Sequence, residues 1–403
     1  MYKLRLPQDF SPGPDYTLPP ALSEAREADS LTLIEIPNGS RLHLISRYEE
    51  VKSVVTHSEV FSRDLRFDSA PRLTDGDITD MQGSLMNMEG REHRRIRNPL
   101  SGFFNRGAVH SIGPTVTTIA SGVLDALELR AGASVDVLAD YVEPIVTEFA
   151  STFMGISSTQ WERAQDLIHA QLNPGLTPEQ TRHAGRDLTA LAEKLLSEAS
   201  RELDTPPTPI SALAVAFDAG QISGEEARDT CALLLMNVTD PLIPPLSLGI
   251  YTLLRHENEQ QKAKSGIASW ENVSLEVLRF HNNGYTNFPR MVLQPTTIRE
   301  VRLEPGDSVV TSTLAAAHDP RAFTEPDQFR VDRTETTFIP FGSGPHFCLG
   351  NVVAREVIAV GLREFFNRFP DVQLAPSASS AATVTDGFFA RPQQIPVTIT
   401  STL

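Results

Sequence analysis

The segment Phe341-Gly342-Ser343-Gly344-Pro345-His346-Phe347-Cys348-Leu349-Gly350 concentrates more reactive chemistry than any other stretch of the chain. Glycines and a proline bracket one thiol in a tight loop, and a helical pattern follows at once through Val353, Val357, Val360, Phe366 and Phe369. A cysteine at such a helix start sits where backbone N–H groups and the positive end of the helix dipole favour a thiolate. That arrangement presents a soft anionic ligand to a metal. On the thiol alone, a small buried cysteine in a glycine-rich turn fits equally well, because free cysteine is commonly buried.

Three other groups stand out. Glu276-Val277-Leu278-Arg279 puts an acid and a base three apart on one helix face, which by itself is an ordinary ion pair. His93-Arg94-Arg95-Ile96-Arg97 places His93 and Arg97 one turn apart, which by itself reads as a solvated basic helix face. Leu233-Leu234-Leu235-Met236-Asn237-Val238 runs into Thr239-Asp240-Pro241, and Pro241, Pro244 and Pro245 withdraw backbone donors. A helix there is expected to kink or open.

Other catalytic signatures fail. His256-Glu257 is followed by Gln260 where a zinc protease needs a second histidine, and Gly342-Ser343-Gly344 is no nucleophile elbow. Phe347 occupies the last glycine position of a dinucleotide fingerprint.

The elements that must position these groups are mostly helical. Apolar residues recur at three and four over Val116–Leu127, Leu188–Leu203 and Glu225–Leu254, and Ser223-Gly224-Glu225-Glu226 reads as a capped helix start. Strand-like runs are short and lie towards the ends: Thr32–Ile36, Arg41–Ile45, Val301–Leu303, Ser308–Thr311 and Gln394–Thr400. The expectation is a mainly α protein with small peripheral β-sheets, one domain spanning residues 1–403. Of these residues 51 are acidic and 35 basic, a net charge of −16, which argues against a nucleic-acid partner. Two cysteines cannot form a disulfide framework, and no signal peptide or membrane span is visible, so a soluble cytoplasmic protein is expected.

The decapeptide around Cys348 resembles the haem-binding signature of the cytochrome P-450 family, Phe-Gly-x-Gly-x-His-x-Cys-x-Gly, with every fixed position filled. The resemblance runs from about Tyr16 to Thr400 and implies that family's fold, a helical triangular prism around haem. It implies haem b as cofactor, with Cys348 as the axial thiolate on iron. Phe341, His346, His93, Arg97 and Arg290 would contact the haem, and Glu276 with Arg279 would form the family's structural Glu-x-x-Arg pair. Ala317-His-Asp-Pro320, with Phe323, Pro326, Phe329 and Arg333, looks like the approach to the cysteine loop. Gln328 stands where many relatives have a third, arginine partner for that pair, so Arg333 takes the role or no residue does. Asn283-Gly284 replaces a proline that often follows the pair.

In relatives an acid then a threonine on the helix over the haem deliver protons; here Thr239 and Asp240 invert the order. They are the candidate catalytic residues, the alternative being a distorted helix whose Asp240 faces water. Segment matching nominates as pocket residues Phe67, Met81, Leu85, Met86, Leu235, Met236, Val238, Asn287, Phe288, Phe388 and Phe389. The implied function is oxidation of a small, largely apolar molecule in secondary metabolism by a monomeric monooxygenase. Electrons would come from ferredoxin and ferredoxin reductase, or from a flavodoxin, docking on Arg94, Arg95 and Arg106. Alternatives are haem-thiolate oxidation without net oxygen insertion, by radical coupling, ring closure, desaturation or peroxide-driven turnover, and a non-catalytic haem-binding or sensing protein.

Overall fold

The computed structural model describes residues 3–5, 9–13, 16–36, 39–64, 66, 81–130, 134–172, 176–200, 206–282, 284–335, 339–376, 383–386 and 389–399. Helices dominate, as the periodicity requires. The helices Val109–Glu128, Ile243–Arg255, Trp270–Phe280 and Asn351–Arg368 share one apolar core with Tyr141, Val146, Phe365 and Phe366 among its members. Gly361 allows close packing there: a Cβ on it would stand 3.0 Å from a Leu246 methyl, and its carbonyl accepts the buried Tyr141 hydroxyl at 2.6 Å. A second core gathers the helices Gly224–Asn237 and Pro178–Ala199 with the segment from Met81 to Leu100.

The main sheet has six strands in the order Lys3–Arg5, Thr32–Glu35, Arg41–Ile45, Ser308–Thr311, Arg290–Val292, Phe61–Ser62. Register pairs Leu44 with Val310 in parallel and Arg290 with Val309 antiparallel, which fixes Arg290 between two strands rather than on a loop. The described residues also form three smaller sheets, among them Gln373–Leu374 with Pro396–Thr398 and Ser134–Asp136. Ser223 caps its helix as expected: its hydroxyl accepts from Glu226 N at 3.2 Å and Glu226 Oε2 accepts from Ser223 N at 2.7 Å.

The continuous pattern over Glu225–Leu254 is broken in the fold. One helix stops at Asn237 and the next starts at Ile243, with Pro244 in its first turn. Across the gap Leu242 N and Ile243 N both bond back to Thr239 O, at 2.8 and 3.2 Å. The three prolines lack the donors a continuous helix would need, so the opening expected from their spacing forms. Among the described residues no helix is long and apolar enough to cross a membrane.

Candidate functional site

The cysteine loop folds back on itself. Cys348 N donates to Phe341 O at 3.0 Å, Phe347 N to Gly344 O at 3.0 Å, and Asn351 Nδ2 to Cys348 O at 3.0 Å, just before helix Asn351–Arg368. Gly344 has a φ of +71°, and a Cβ there would lie 2.8 Å from Val55 O, so glycine alone fits where the loop crosses helix Tyr48–Thr56. Cys348 is partly exposed. Desolvation pushes its thiol up from the ordinary value, while the Gly350 N–H and the charge of Arg97 act in the opposite direction.

Around the loop sits a cluster of cations and imidazoles. His93 is buried on helix Gly90–Arg97, its ring centroid 4.5 Å from that of His346. Arg97 Nη2 donates to Phe347 O at 2.7 Å, joining that helix to the cysteine loop. Arg290 Nη1 donates to Phe61 O at 2.9 Å. Two members carried no signal in the sequence, Arg63 and Glu89. Buried Arg63 donates through Nη1 to Pro289 O at 2.8 Å, lies 5.0 Å over the Phe288 ring, and gives its backbone N–H to Glu89 Oε1 at 2.7 Å. The Arg63–Pro289 contact spans 226 residues, and no local pattern reaches that far.

Burial holds these groups in unusual protonation ranges. Desolvation, aided by His346 and Arg97, pushes His93 down to about 4, and desolvation takes Arg290 to about 10. For Glu89, burial pulls upward, but His346, the Arg63 N–H and Arg290 outweigh it and hold the carboxyl low. Glu89 Oε2 lies 3.1 Å from His346 Nε2 without hydrogen-bond alignment, and His93 Nε2, His346 Nε2 and Glu89 Oε2 are all buried with no hydrogen-bond partner among the described residues. Orphaned imidazole nitrogens beside Arg97 and Arg290, next to a thiol in a glycine cradle, fit a large anionic cofactor with a metal.

Glu276 and Arg279 are both buried and joined by two bonds, Nε to Oε2 at 2.7 Å and Nη2 to Oε1 at 2.8 Å. Arg279 Nη1 also reaches Ala317 O and Pro326 O, each at 2.8 Å. Arg333 is the third partner: its Nε donates to Glu276 Oε1 at 3.0 Å. Gln328 takes part only through its carbonyl, accepting from Arg279 at 3.2 Å and from Arg333 at 2.7 Å.

Met81, Leu85, Leu235 and Met236 are buried in one apolar cluster, with Met86, Val238, Phe288 and Leu349 packed against it. Leu349 brings the cysteine loop to that cluster. Thr239 is buried in the helix break, and its hydroxyl donates to half-buried Asp240 Oδ1 at 3.4 Å. Asn237 bonds back to Leu233 O at 2.8 Å.

The family model described as Cytochrome P-450 matches residues 35–394. The chain belongs to the cytochrome P-450 family. It is 27% identical to nocardicin C N-oxygenase of Nocardia uniformis subsp. tsuyamanensis, over 94% of this chain and 95% of that one. It is 26% identical to mycinamicin IV hydroxylase/epoxidase of Micromonospora griseorubida, over 89% of each, and 25% identical to biflaviolin synthase of Streptomyces coelicolor, over 96% and 94%. Among solved structures, the putative thioether synthase SgvP of griseoviridin tailoring superposes with a TM-score of 0.90 at 25% identity, covering 99% of this chain and 100% of that one. As a cytochrome P-450 the protein is a haem-dependent oxidoreductase, and the orphaned cluster and the Cys348 cradle are the residues that suit the family's cofactor.

Two expectations change in the P-450 structure. Asn287, expected to face the pocket, spends its amide on structure: Oδ1 accepts from Thr311 Oγ1 at 3.0 Å and Thr313 N at 3.1 Å, and Nδ2 faces Thr313 Oγ1 at 3.3 Å. Arg95 is not a free docking charge, because both its terminal nitrogens bind the Glu226 carboxylate and one also binds Gln221 O. Arg94 and Arg106 are exposed. Phe67 and Phe388 lie outside the described residues, and Phe389 is placed only by its strand, Phe389–Pro392.

Proposed function

We propose that this cytochrome P-450 inserts one oxygen atom into a small, largely apolar molecule of bacterial secondary metabolism. It acts in the cytoplasm as a monomer, with electrons from ferredoxin and its reductase or from a flavodoxin. The observation that carries this reading is the buried apolar cluster that includes Met81, Leu85, Leu235 and Met236, which we read as the substrate wall and against which Leu349 of the thiol loop packs. The relatives named as an N-oxygenase and a hydroxylase/epoxidase support oxygen insertion.

Cys348 would hold the iron of haem b, and His93, His346, Arg97 and Arg290, joined by Arg63, would bind its carboxylates. When bound, haem supplies the oxidation in which substrate C–H, O2, two electrons and two protons give an alcohol and water. The chain's own residues then have three tasks. The apolar wall orients the substrate and excludes bulk water. The cationic cluster neutralises the cofactor's carboxylates. Thr239 and Asp240, set in the gap between helices, hand protons inward from the Thr239 hydroxyl and the Asp240 carboxyl.

A second reading, oxidation without net oxygen insertion, is favoured by one observation: the Thr239–Asp240 contact is long and lies in an opened helix rather than a regular turn. The relatives named as a biflaviolin synthase and a putative thioether synthase, rather than as oxygenases or hydroxylases, support it. Deleting the gene in its host and comparing extracts by mass spectrometry separates the two. A product heavier than the accumulated precursor by one oxygen establishes insertion. A product lighter by hydrogen alone establishes coupling or desaturation and refutes the first reading.

A further inference from the structure

Asp229 lies in the middle of helix Gly224–Asn237, 2% exposed, a costly place for a carboxylate. Its Oδ1 accepts from Arg228 Nε at 2.8 Å, and its Oδ2 accepts from Gly83 N at 2.9 Å. Gly83 is pressed against the same helix: a Cβ on it would stand 2.7 Å from Glu225 O and 2.8 Å from Glu225 C, so only glycine fits. Gly83 opens a stiff segment. Ser84 N bonds Met81 O, Asn87 N bonds Ser84 O, Asn87 Nδ2 bonds Met81 O, and Ser84 Oγ accepts from Met86 N, at 3.0 to 3.2 Å. That segment puts Met81 and Leu85 in the same apolar cluster, the proposed wall, as Leu235 and Met236 of the helix, with Met86 packed against it. One turn back, Glu226 holds Arg95. Two acids three apart thus grip the ends of residues 83–95.

We propose that Asp229 is a positioning residue: its bond to Gly83 N holds the 81–88 wall against the helix and so limits the size of ligand that fits over the haem. The proposal rests on the haem-thiolate reading only for the ligand; the holding of the wall stands without it. Haem-loaded wild-type protein, Asp229→Ala and Asp229→Asn are compared in two ways. Amide hydrogen exchange of the peptide covering Met81–Met88 is expected to quicken about 10-fold or more in Asp229→Ala, and to stay near wild type in Asp229→Asn, whose Oδ1 still accepts from Gly83. Spectral titration with imidazole and with the much larger clotrimazole is expected to show the clotrimazole preference rising about 5-fold or more in Asp229→Ala, with imidazole affinity within about 2-fold. Gly83→Ala lifts the wall from the other side without touching the buried charge, and is expected to shift selectivity the same way if Asp229→Ala fails to fold. Unchanged exchange in Asp229→Ala, or an equal change in Asp229→Asn, overturns the proposal. Faster exchange with unchanged azole selectivity overturns the size limit. A wild-type protein lacking a thiolate-type haem spectrum refutes the haem reading, and the exchange result still decides whether Asp229 holds the wall.

Discussion

Arg333 Nε donates to Glu276 Oε1 at 3.0 Å, so the acid of the Glu276–Arg279 pair is gripped from its own helix and from a loop 57 residues downstream. Arg330 N adds a third bond to the same oxygen, at 2.8 Å, beside those from Arg333 Nε and Arg279 Nη2. A buried carboxylate depends on all such partners. Arg333→Ala is expected to cost about 1–3 kcal/mol of stability, whereas Gln328→Ala, which keeps the carbonyl that does the work, stays within about 0.5 kcal/mol. Denaturant unfolding of the haem-loaded protein checks both; equal effects would contradict the assignment of Arg333 as third partner.

The cluster of imidazoles and arginines near Cys348 sets a second expectation. Removing one charge-assisted partner of a bound carboxylate costs about 1.5–3 kcal/mol, or roughly 10- to 100-fold in retention. His93→Ala and Arg290→Ala should speed haem transfer to excess apomyoglobin by about that factor. Cys348→Ser should instead lose the red-shifted Soret band of the reduced carbon-monoxide complex.

Proton delivery is read from coupling. Asp240→Asn keeps the size of the side chain and removes its proton-transfer capacity, a change of about 100- to 10,000-fold in rate for a group of this kind. Product formed per electron consumed should fall with it, and Thr239→Val should lower the same ratio. Wild-type turnover with wild-type coupling in Asp240→Asn would exclude the relay.

His281 accounts for part of the acid sensitivity. Buried and 2.6 Å from Thr252 Oγ1, it is pushed down to about 3 by desolvation first, then by His318, Arg279 and His256. The unfolded chain binds this proton near pH 6.5, so the stability is present above that pH and is lost as pH falls towards 3. The slope is about 1.4 kcal/mol per pH unit. His93 and His318 act with the same sign, so the difference between wild type and His281→Gln isolates the effect. Thermal midpoints of the variant should flatten between pH 6.5 and 4.

Arg94 and Arg106 are exposed, and Arg95 is engaged by Glu226. Reversing the first two charges should slow reduction by ferredoxin at low salt, with the difference fading as salt rises. Arg95→Glu should lower the thermal midpoint by roughly 2 °C, since it places like charges at a surface pair worth up to about 1 kcal/mol. Stopped-flow reduction and thermal scans separate the two roles.

The sequence by itself determined the thiol loop, the Glu276–Arg279 pair, the break after Asn237 and the helical class. Each of these is a local pattern, in which spacing, glycine freedom or missing proline donors act within a few residues. Only the tertiary structure decided which groups converge from afar. Arg63 and Glu89 join His346 because strand pairing and the 81–97 segment bring them there, Arg333 rather than Gln328 completes the buried pair, and Asn287 and Arg95 are drawn into structural bonds. A buried polar group takes whichever partner packing supplies, and that choice is made by contacts tens to hundreds of residues apart, which no local spacing encodes.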